Sequence, residues 1–217
     1  MQPSKYNFIV IEGNIGAGKT SLAKKLAADF NAKLVLERFA ENPFLPKFYE
    51  NPEKYAFQVE TSFLIDRYQQ LIDDLQPLEL FRSFTISDYY FSKSLIFARN
   101  TLEGAEFQLY RKIYSIIYKN IPKPDLYVFL HVSIERLLKN IKKRGRPYEQ
   151  NIKPEYLEKI QKAYFEYFNQ QNDFRFLIID TNEIDFVENQ KHYNKLVEII
   201  FDENHKKGIN FVKVSAN

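Results

Sequence analysis

Cysteine is absent from this sequence of 217 residues, so disulfides, thiolate metal sites and cysteine nucleophiles are excluded. The three histidines are scattered, at His131, His192 and His205, which argues against a histidine metal site. No apolar run reaches the length of a membrane span, and the first residues contain no apolar stretch of signal-peptide length. From these absences we expect a cytoplasmic protein without a membrane partner.

A strong excess of charge is also lacking. The chain has 31 Lys and Arg against 28 Asp and Glu, a net charge of +3. This balance is too weak and too evenly spread to indicate a nucleic-acid track, and it favours a small anionic ligand. Hydrophobic residues make up 45% of the chain, enough for a substantial core, and no linker divides it. We therefore predict one domain over residues 1–217.

Short apolar runs alternate with helical patterns along the chain. The run 6–13 is typical of a buried strand, and the apolar residues of 19–30 have helical spacing. This alternation indicates an α/β fold whose parallel sheet is covered by helices on both faces. The tail from residue 205 is assigned no element. The remaining predicted strands lie within 32–37, 81–90, 125–132 and 175–180, and the remaining helices within 52–75, the region from the third strand to about 120, 133–146, 155–171 and 189–201.

Glycine is scarce, and three of the six glycines lie in one loop. Residues 13–20, GNIGAGKT, match the phosphate-binding pattern G-x-x-x-x-G-K-[ST] between a strand and a helix. Backbone N–H groups of such a loop surround an anion, Lys19 reaches the β- and γ-phosphates, and the Thr20 hydroxyl is a ligand for Mg²⁺. The nucleotide-binding residues predicted here are Gly13, Asn14, Ile15, Gly16, Ala17, Gly18, Lys19, Thr20 and Ser21.

The phosphate loop alone leaves the class of protein open. A GTPase switch normally carries D-x-x-G and reads guanine with N-K-x-D, and neither pattern occurs in this sequence. Their absence favours a transferase. A nucleotide-binding regulator without acceptor chemistry remains an alternative.

Five segments together resemble the deoxynucleoside kinase family. In chain order they are IEGNIGAGKTSLAKKL, YENPEKYAFQVETSFLIDRY, IFA, KRGRPYEQNIKPEYLEKI and LIIDTNEIDF, between about residues 6 and 186. The variants VETSFLIDRY and SDYYFSKS look closest to the bacterial deoxyadenosine kinase branch. The resemblance implies a P-loop kinase with a five-stranded parallel sheet flanked by helices and a short helical lid at about 140–152. It also implies ATP and Mg²⁺, a deoxynucleoside acceptor, and a homodimer built on two helices.

Glu37 is the predicted general base. It ends the second predicted strand, at the sheet edge where the phosphate loop also opens, and a carboxylate there can accept the proton of an attacking hydroxyl. The resemblance implies the same role, while an ion pair with Arg38 is the structural alternative. By resemblance, Tyr49 and Glu149 hold the sugar 3′-hydroxyl.

The lid and the donor loop are also implied by the resemblance. Arg144 and Arg146 flank a glycine, and their guanidinium groups would close on the transferred phosphoryl group. A solvated basic helix end is the alternative interpretation of this segment. The loop that packs around the donor adenine corresponds to residues 180–186, from which we select Glu183, Asp185 and Phe186.

The motif at the end of the third strand and one position of the predicted lid depart from the family pattern. Ser87-Asp88-Tyr89 stands where the family usually has Asp/Glu-Arg-Ser, so the arginine that steadies the base carboxylate is missing. Asp88 would hold Mg²⁺ through water, or else it caps the following helix. Asn140 stands where several relatives carry another lid arginine.

The acceptor-base positions show a compensated exchange. Relatives read the base with Gln, Arg and Asp, where this chain has Glu60, Arg67 and Lys93. We expect both cations beside Glu60, because a buried carboxylate without a counter-ion is costly. A carboxylate accepts hydrogen bonds, which suits the amine of adenine or the N–H pair of guanine and suits thymine poorly, while cytosine stays possible through its amine. We expect purines, and the resemblance to the deoxyadenosine kinase branch puts deoxyadenosine before deoxyguanosine. A nucleoside monophosphate kinase of the thymidylate kinase type is the alternative, although it needs extra arginines around the acceptor phosphate.

Overall fold

The computed structural model describes residues 5–38, 42–74, 82–202 and 204–215. No helix in these ranges combines the length and the apolar character needed to cross a membrane. The predicted α/β class is confirmed: a parallel sheet is flanked by helices.

Over the described residues the sheet has six strands rather than the predicted five. The strands are β1 (Phe8–Gly13), β2 (Lys33–Val35), β3 (Thr85–Ser87), β4 (Leu126–His131), β5 (Arg175–Asp180) and β6 (Gly208–Lys213), in the order β2-β3-β1-β4-β5-β6. All neighbouring pairs are parallel. The additional strand β6 lies at the edge, where Ile209 and Phe211 are 43% and 58% exposed. It was missed because it lacks the buried apolar run that marks β1, β4 and β5.

Helices cover both faces of this sheet, as predicted. One core cluster includes side chains of the helices at 19–29, 134–144 and 190–200, and the other includes side chains of the helices at 52–74, 92–101, 104–118 and 154–169. The long helical region after the third strand consists of two helices, separated at Leu102 and Glu103. The helices are α1 (Lys19–Asp29), α2 (Leu45–Glu50), α3 (Pro52–Asp74), α4 (Ser92–Thr101), α5 (Gly104–Tyr118), α6 (Ile134–Arg144), α7 (Pro154–Asn169) and α8 (Gln190–Ile200).

The strand order positions the candidate site. β1 is central, between β3 and β4, and the phosphate loop follows its carboxyl end. In open parallel sheets, ligands bind in the crevice outside the carboxyl ends of the strands, where the strand order reverses. β2 ends at Val35, so Glu37 lies two residues beyond the strand instead of ending it. The predicted lid comprises the end of α6 and a 3₁₀ turn at Pro147–Glu149.

Candidate active site

The phosphate loop has the backbone that its glycines predict. Gly16 and Gly18 have φ angles of 85° and 88°, in the left-handed region that favours glycine. Space is also limiting: a Cβ on Gly18 would lie 2.8 Å from the Phe186 ring, and one on Gly16 would lie 2.9 Å from the Leu137 carbonyl oxygen. Because α1 begins at Lys19, the loop opens directly onto a helix N-terminus, which favours anions.

Lys19 folds back over the loop that precedes it. Its ammonium group donates to the carbonyl oxygens of Gly13 and Asn14, at 2.9 and 3.0 Å. Burial, followed by repulsion from Lys93, lowers the pKa of Lys19 to about 8, against the opposing attraction of nearby carboxylates. A triphosphate in the loop would supply the negative charge that keeps this lysine protonated.

Asp88 connects the phosphate loop to the segment after β2. Its Oδ2 accepts a hydrogen bond from the Thr20 hydroxyl at 2.5 Å, and its Oδ1 accepts one from the Glu37 backbone N–H at 2.8 Å. Burial raises the pKa of Asp88, and these hydrogen bonds oppose that effect. The alternative of a helix cap is wrong, because α4 begins only at Ser92 with Phe91 as its N-cap.

The pair of Thr20 and Asp88 fits a magnesium ion. Mg²⁺ prefers oxygen ligands, keeps several waters, and is usually held by one or two protein groups together with substrate phosphates. The hydroxyl and the carboxylate meet beside the phosphate loop. Over the described residues, three or more His, Cys, Asp or Glu side chains do not gather at one point, so an all-protein metal cage is not built there.

Glu37 carries two buried ion pairs. Its Oε1 lies 2.7 Å from Nη2 of Arg67, and its Oε2 lies 2.5 Å from Nζ of Lys93. Burial acts to raise its pKa, but Lys93 and Arg67 prevail and lower it to about 2. The Arg38 alternative is wrong, since the partners of Glu37 are these two side chains and Arg38 is exposed. Lys93 therefore places a cation beside this carboxylate, although the arginine expected from the family pattern is missing.

Glu60 does not have the ion pairs that we expected from Arg67 and Lys93. Glu60 is 3% exposed, and its side chain accepts a hydrogen bond from the Thr101 hydroxyl at 2.8 Å. Both cations instead form direct ion pairs with Glu37. Burial raises the pKa of Glu60 to about 7, and the Thr101 hydrogen bond and the more distant cations only partly oppose it.

The lid arginines converge on Glu149. Arg144 and Arg146 both donate to its carboxylate, Arg146 from Nη1 at 3.1 Å. Glu149 is 5% exposed, whereas the arginine side chains are about one-third exposed. Tyr49 stacks on Tyr148, with ring centroids 6.0 Å apart, and burial raises the pKa of the Tyr49 hydroxyl.

One cleft of about 770 Å³, part of it open to solvent, brings most of the predicted site residues together. Residues predicted for the phosphate loop, the lid and the acceptor site share its walls, an arrangement that would suit a reaction between two bound molecules. The predicted residues that line it are Ile15, Lys19, Thr20, Glu37, Tyr49, Glu60, Arg67, Asp88, Lys93, Arg144, Arg146 and Glu149.

The predicted donor-loop residues lie apart from this cleft. The Phe186 ring packs against Gly18, and this contact joins the donor loop to the phosphate loop. The carboxylate of Asp185 accepts hydrogen bonds from the backbone N–H groups of Val187 and Glu188. These bonds stabilise the turn that contains Asp185. Glu183 forms an exposed ion pair with Lys213 of β6 at 2.7 Å.

Sequence reasoning missed Arg136. Its guanidinium donates to the backbone carbonyl of Thr181 at 2.8 Å and also to those of Asn182 and Ile184. These hydrogen bonds connect α6 to the predicted donor loop. One turn later Asn140 donates to the Gly16 carbonyl at 2.8 Å. Residues 136, 140 and 144 are spaced by four, which places them along one side of the helix, and this spacing was the available signal.

Glu12, the residue before the phosphate loop, was also missed. It is fully buried, and burial raises its pKa. Its carboxylate accepts hydrogen bonds from the Tyr90 backbone N–H and the Tyr164 hydroxyl, both at 2.9 Å. A carboxylate at the end of an otherwise apolar strand was the signal, because charge there requires partners.

Comparisons with known proteins find relatives along most of the chain. Deoxyguanosine kinase of Bacillus subtilis (strain 168) is 37% identical over 193 residues, covering 87% of this chain and 93% of that protein. Deoxyadenosine kinase of Lactobacillus acidophilus is 29% identical over 207 residues, covering 88% and 94%. The structure of deoxyadenosine kinase from M. mycoides with bound dATP is similar, with a TM-score of 0.74, 28% identity, and coverage of 88% of this chain and 98% of that one. A family model described as deoxynucleoside kinase matches residues 9–204, and the chain belongs to this family.

Proposed function

We propose that this kinase transfers the γ-phosphoryl group of ATP to the 5′-hydroxyl of a purine deoxyribonucleoside, giving ADP and the deoxynucleoside monophosphate. One observation carries the proposal. Asp88 contacts Thr20 of the phosphate loop with one oxygen and the backbone of Glu37 with the other. The donor-phosphate site and the base for the acceptor are therefore joined through a single side chain.

Glu37 would accept the proton of the 5′-hydroxyl. At the same time the 5′-oxygen of the nucleoside would bond to the γ-phosphorus, and the bond between that phosphorus and the leaving ADP oxygen would break. With a pKa of about 2, Glu37 is ionised at neutral pH. Such a carboxylate is a weak base, but the phosphoryl-transfer transition state is loose and depends mainly on positioning and charge stabilisation. Arg67 contacts one oxygen of the Glu37 carboxylate and Lys93 contacts the other, so the two ion pairs orient the carboxylate.

Thr20 and Asp88 would hold Mg²⁺. When bound, the ion neutralises phosphate charge, as it does in other P-loop enzymes. Lys19, Arg144 and Arg146 would stabilise the charge on the transferred group. Glu149 already holds both arginines at the cleft, and with Tyr49 it would bind the sugar 3′-hydroxyl.

A nucleoside fits this cleft better than a nucleotide acceptor does. A monophosphate kinase needs cations for the acceptor phosphate, whereas Arg67 and Lys93 are already ion-paired with Glu37. The relatives include a probable thymidylate kinase of Archaeoglobus fulgidus, 31% identical over 166 residues, so the alternative merits a direct test.

The test is ADP release with ATP and Mg²⁺, in parallel with the four deoxynucleosides, dTMP and no acceptor. We expect turnover with deoxyadenosine and deoxyguanosine. Turnover with thymidine or deoxycytidine only would refute the purine assignment, and turnover with dTMP only would favour the monophosphate kinase. Release that is independent of any acceptor would favour the nucleotide-binding regulator.

We also propose that residues 1–217 act as one domain and that two copies associate. Leu109 and Ile116 on α5 are 51% and 69% exposed, and this apolar surface supports association. Light scattering during size exclusion measures the mass directly, and a monomer would contradict the dimer. The cytoplasmic location stays a prediction.

A further inference from the structure

The carboxyl group of Glu60 is buried, and no cation of the described residues lies at ion-pair distance from it. Within the described residues, its side chain has one hydrogen-bond partner, the Thr101 hydroxyl. Arg67 and Lys93, the two cations expected beside it, both contact Glu37 instead. A buried carboxyl group in this situation can exchange its proton near neutral pH, because burial disfavours its charge. Consistent with this geometry, its pKa is raised to about 7.

Thr101 satisfies both protonation states. Its hydroxyl lies 2.8 Å from Oε1 of Glu60 and 3.1 Å from the backbone carbonyl oxygen of Phe97. A hydroxyl has one proton to donate and can also accept. With Glu60 ionised, Thr101 donates to it. With Glu60 protonated at its other oxygen, Oε2, Thr101 still donates to Oε1, and the proton on Oε2 stays available to a bound base.

The groups around Glu60 come from several elements. Arg67 lies on the same helix, α3, and Lys93 lies on α4; both favour the ionised form but are paired with Glu37. Tyr110 of α5 donates to the Glu60 backbone carbonyl and not to its carboxyl group. Tyr49 and Tyr156 also interact electrostatically with Glu60. The other titratable side chains of the cleft walls are Lys19, Glu37, Asp88, Arg144, Arg146 and Glu149.

The two purines require opposite protonation states of a carboxyl group. Adenine presents a ring-nitrogen acceptor beside its amine donor on either polar edge, so a matching group must donate with one oxygen and accept with the other. Only a protonated carboxyl does both. Guanine presents two adjacent N–H donors on its Watson–Crick edge, and a carboxylate accepts from both.

We propose that the protonation state of Glu60 selects the acceptor base: protonated Glu60 binds deoxyadenosine and ionised Glu60 binds deoxyguanosine. This inference rests on the proposed function. Acidic conditions then favour deoxyadenosine and alkaline conditions favour deoxyguanosine, with both accepted near neutral pH.

The experiment measures kcat/KM for both nucleosides between about pH 6 and about pH 8 and takes their ratio, in which the pH dependence of shared catalytic groups cancels. The ratio of deoxyadenosine to deoxyguanosine is expected to fall by up to about tenfold per pH unit, as the ratio of protonated to ionised carboxyl does. In Glu60→Gln the amide donates and accepts at every pH, so the ratio should stay flat and favour deoxyadenosine.

Thr101→Val provides a second test that keeps Glu60 in place. It removes the hydrogen bond that stabilises ionised Glu60, so the ratio should shift towards deoxyadenosine at each pH while keeping its slope. A flat ratio in the wild type, or an equal slope in Glu60→Gln, overturns the inference even if both purines are phosphorylated. Absence of turnover with any deoxynucleoside would instead refute the proposed function, which separates the two failures.

Discussion

Glu37→Gln is the most direct test of the proposed mechanism. The amide keeps the shape of the side chain but cannot accept the 5′-hydroxyl proton. Removing a general base lowers kcat by about 10²–10⁴, which corresponds to about 3–5 kcal/mol in the activation barrier. Binding of ATP should persist, because among the described residues the Glu37 side chain bonds to Arg67 and Lys93 and not to the phosphate loop.

The same substitution also removes the counter-ion of two buried cations. The side chains of Arg67 and Lys93 are 4% and 9% exposed. Removing one partner of a buried ion pair costs about 3–5 kcal/mol, a large share of the stability of a typical protein. A loss of turnover alone could therefore reflect partial unfolding, so the free energy of unfolding must be measured with kcat.

The double variant Glu37→Gln with Lys93→Gln separates the two effects. It restores the wild-type sum of charges among these three side chains, so we expect the free energy of unfolding to recover while kcat stays low. Single-turnover kinetics at saturating ATP measures the chemical step. Recovery of turnover in the double variant, or a kcat within about threefold of wild type in the single one, would refute Glu37 as the base, given the loss expected for general-base catalysis.

Acid unfolding gives an independent check on Glu37. Its pKa is lowered from 4.5 to about 2 in the folded protein. Its contribution to stability is therefore present above pH 4.5 and is lost as pH falls through about 2, because the unfolded chain takes up the proton first. Glu37→Gln should reduce this part of the pH dependence, and an unchanged profile would contradict the lowered pKa.

Three further predictions concern the donor side. Lys19, with a pKa of about 8, should take up about half a proton at pH 8 when MgATP binds and almost none at pH 6, measured by calorimetry in buffers of different ionisation enthalpy; equal uptake at both values would contradict this. Gly16→Ala should weaken ATP binding by at least about tenfold, because its Cβ would meet the Leu137 carbonyl at 2.9 Å; unchanged affinity would refute the packing argument. Arg136→Ala should raise KM for ATP more than it lowers kcat, with partial recovery in Arg136→Lys, because the donor loop loses its backbone anchors; an equal effect on the acceptor KM would contradict a role at the donor loop.

Local patterns of the sequence were enough to predict the strand, loop and helix at the centre of this fold. The buried strand β1, the glycine loop and the helix that follows are contiguous, so their hydrophobic runs and backbone requirements can be recognised without any distant contact. The departure at Ser87-Asp88-Tyr89 was also visible in the sequence. The edge strand β6 was not, because an edge strand needs no continuous apolar run and its pairing with β5 is made through the backbone.

The tertiary structure alone decided how the charged side chains pair. Arg67 and Lys93 are 30 and 56 residues from Glu37 along the chain, and a residue count cannot say which of two buried carboxylates they contact. Ion pairing depends on distances of a few ångströms in a medium of low dielectric constant, which only the packing of α3 and α4 on the sheet sets. That packing placed both cations on Glu37 and left Glu60 with the hydroxyl of Thr101.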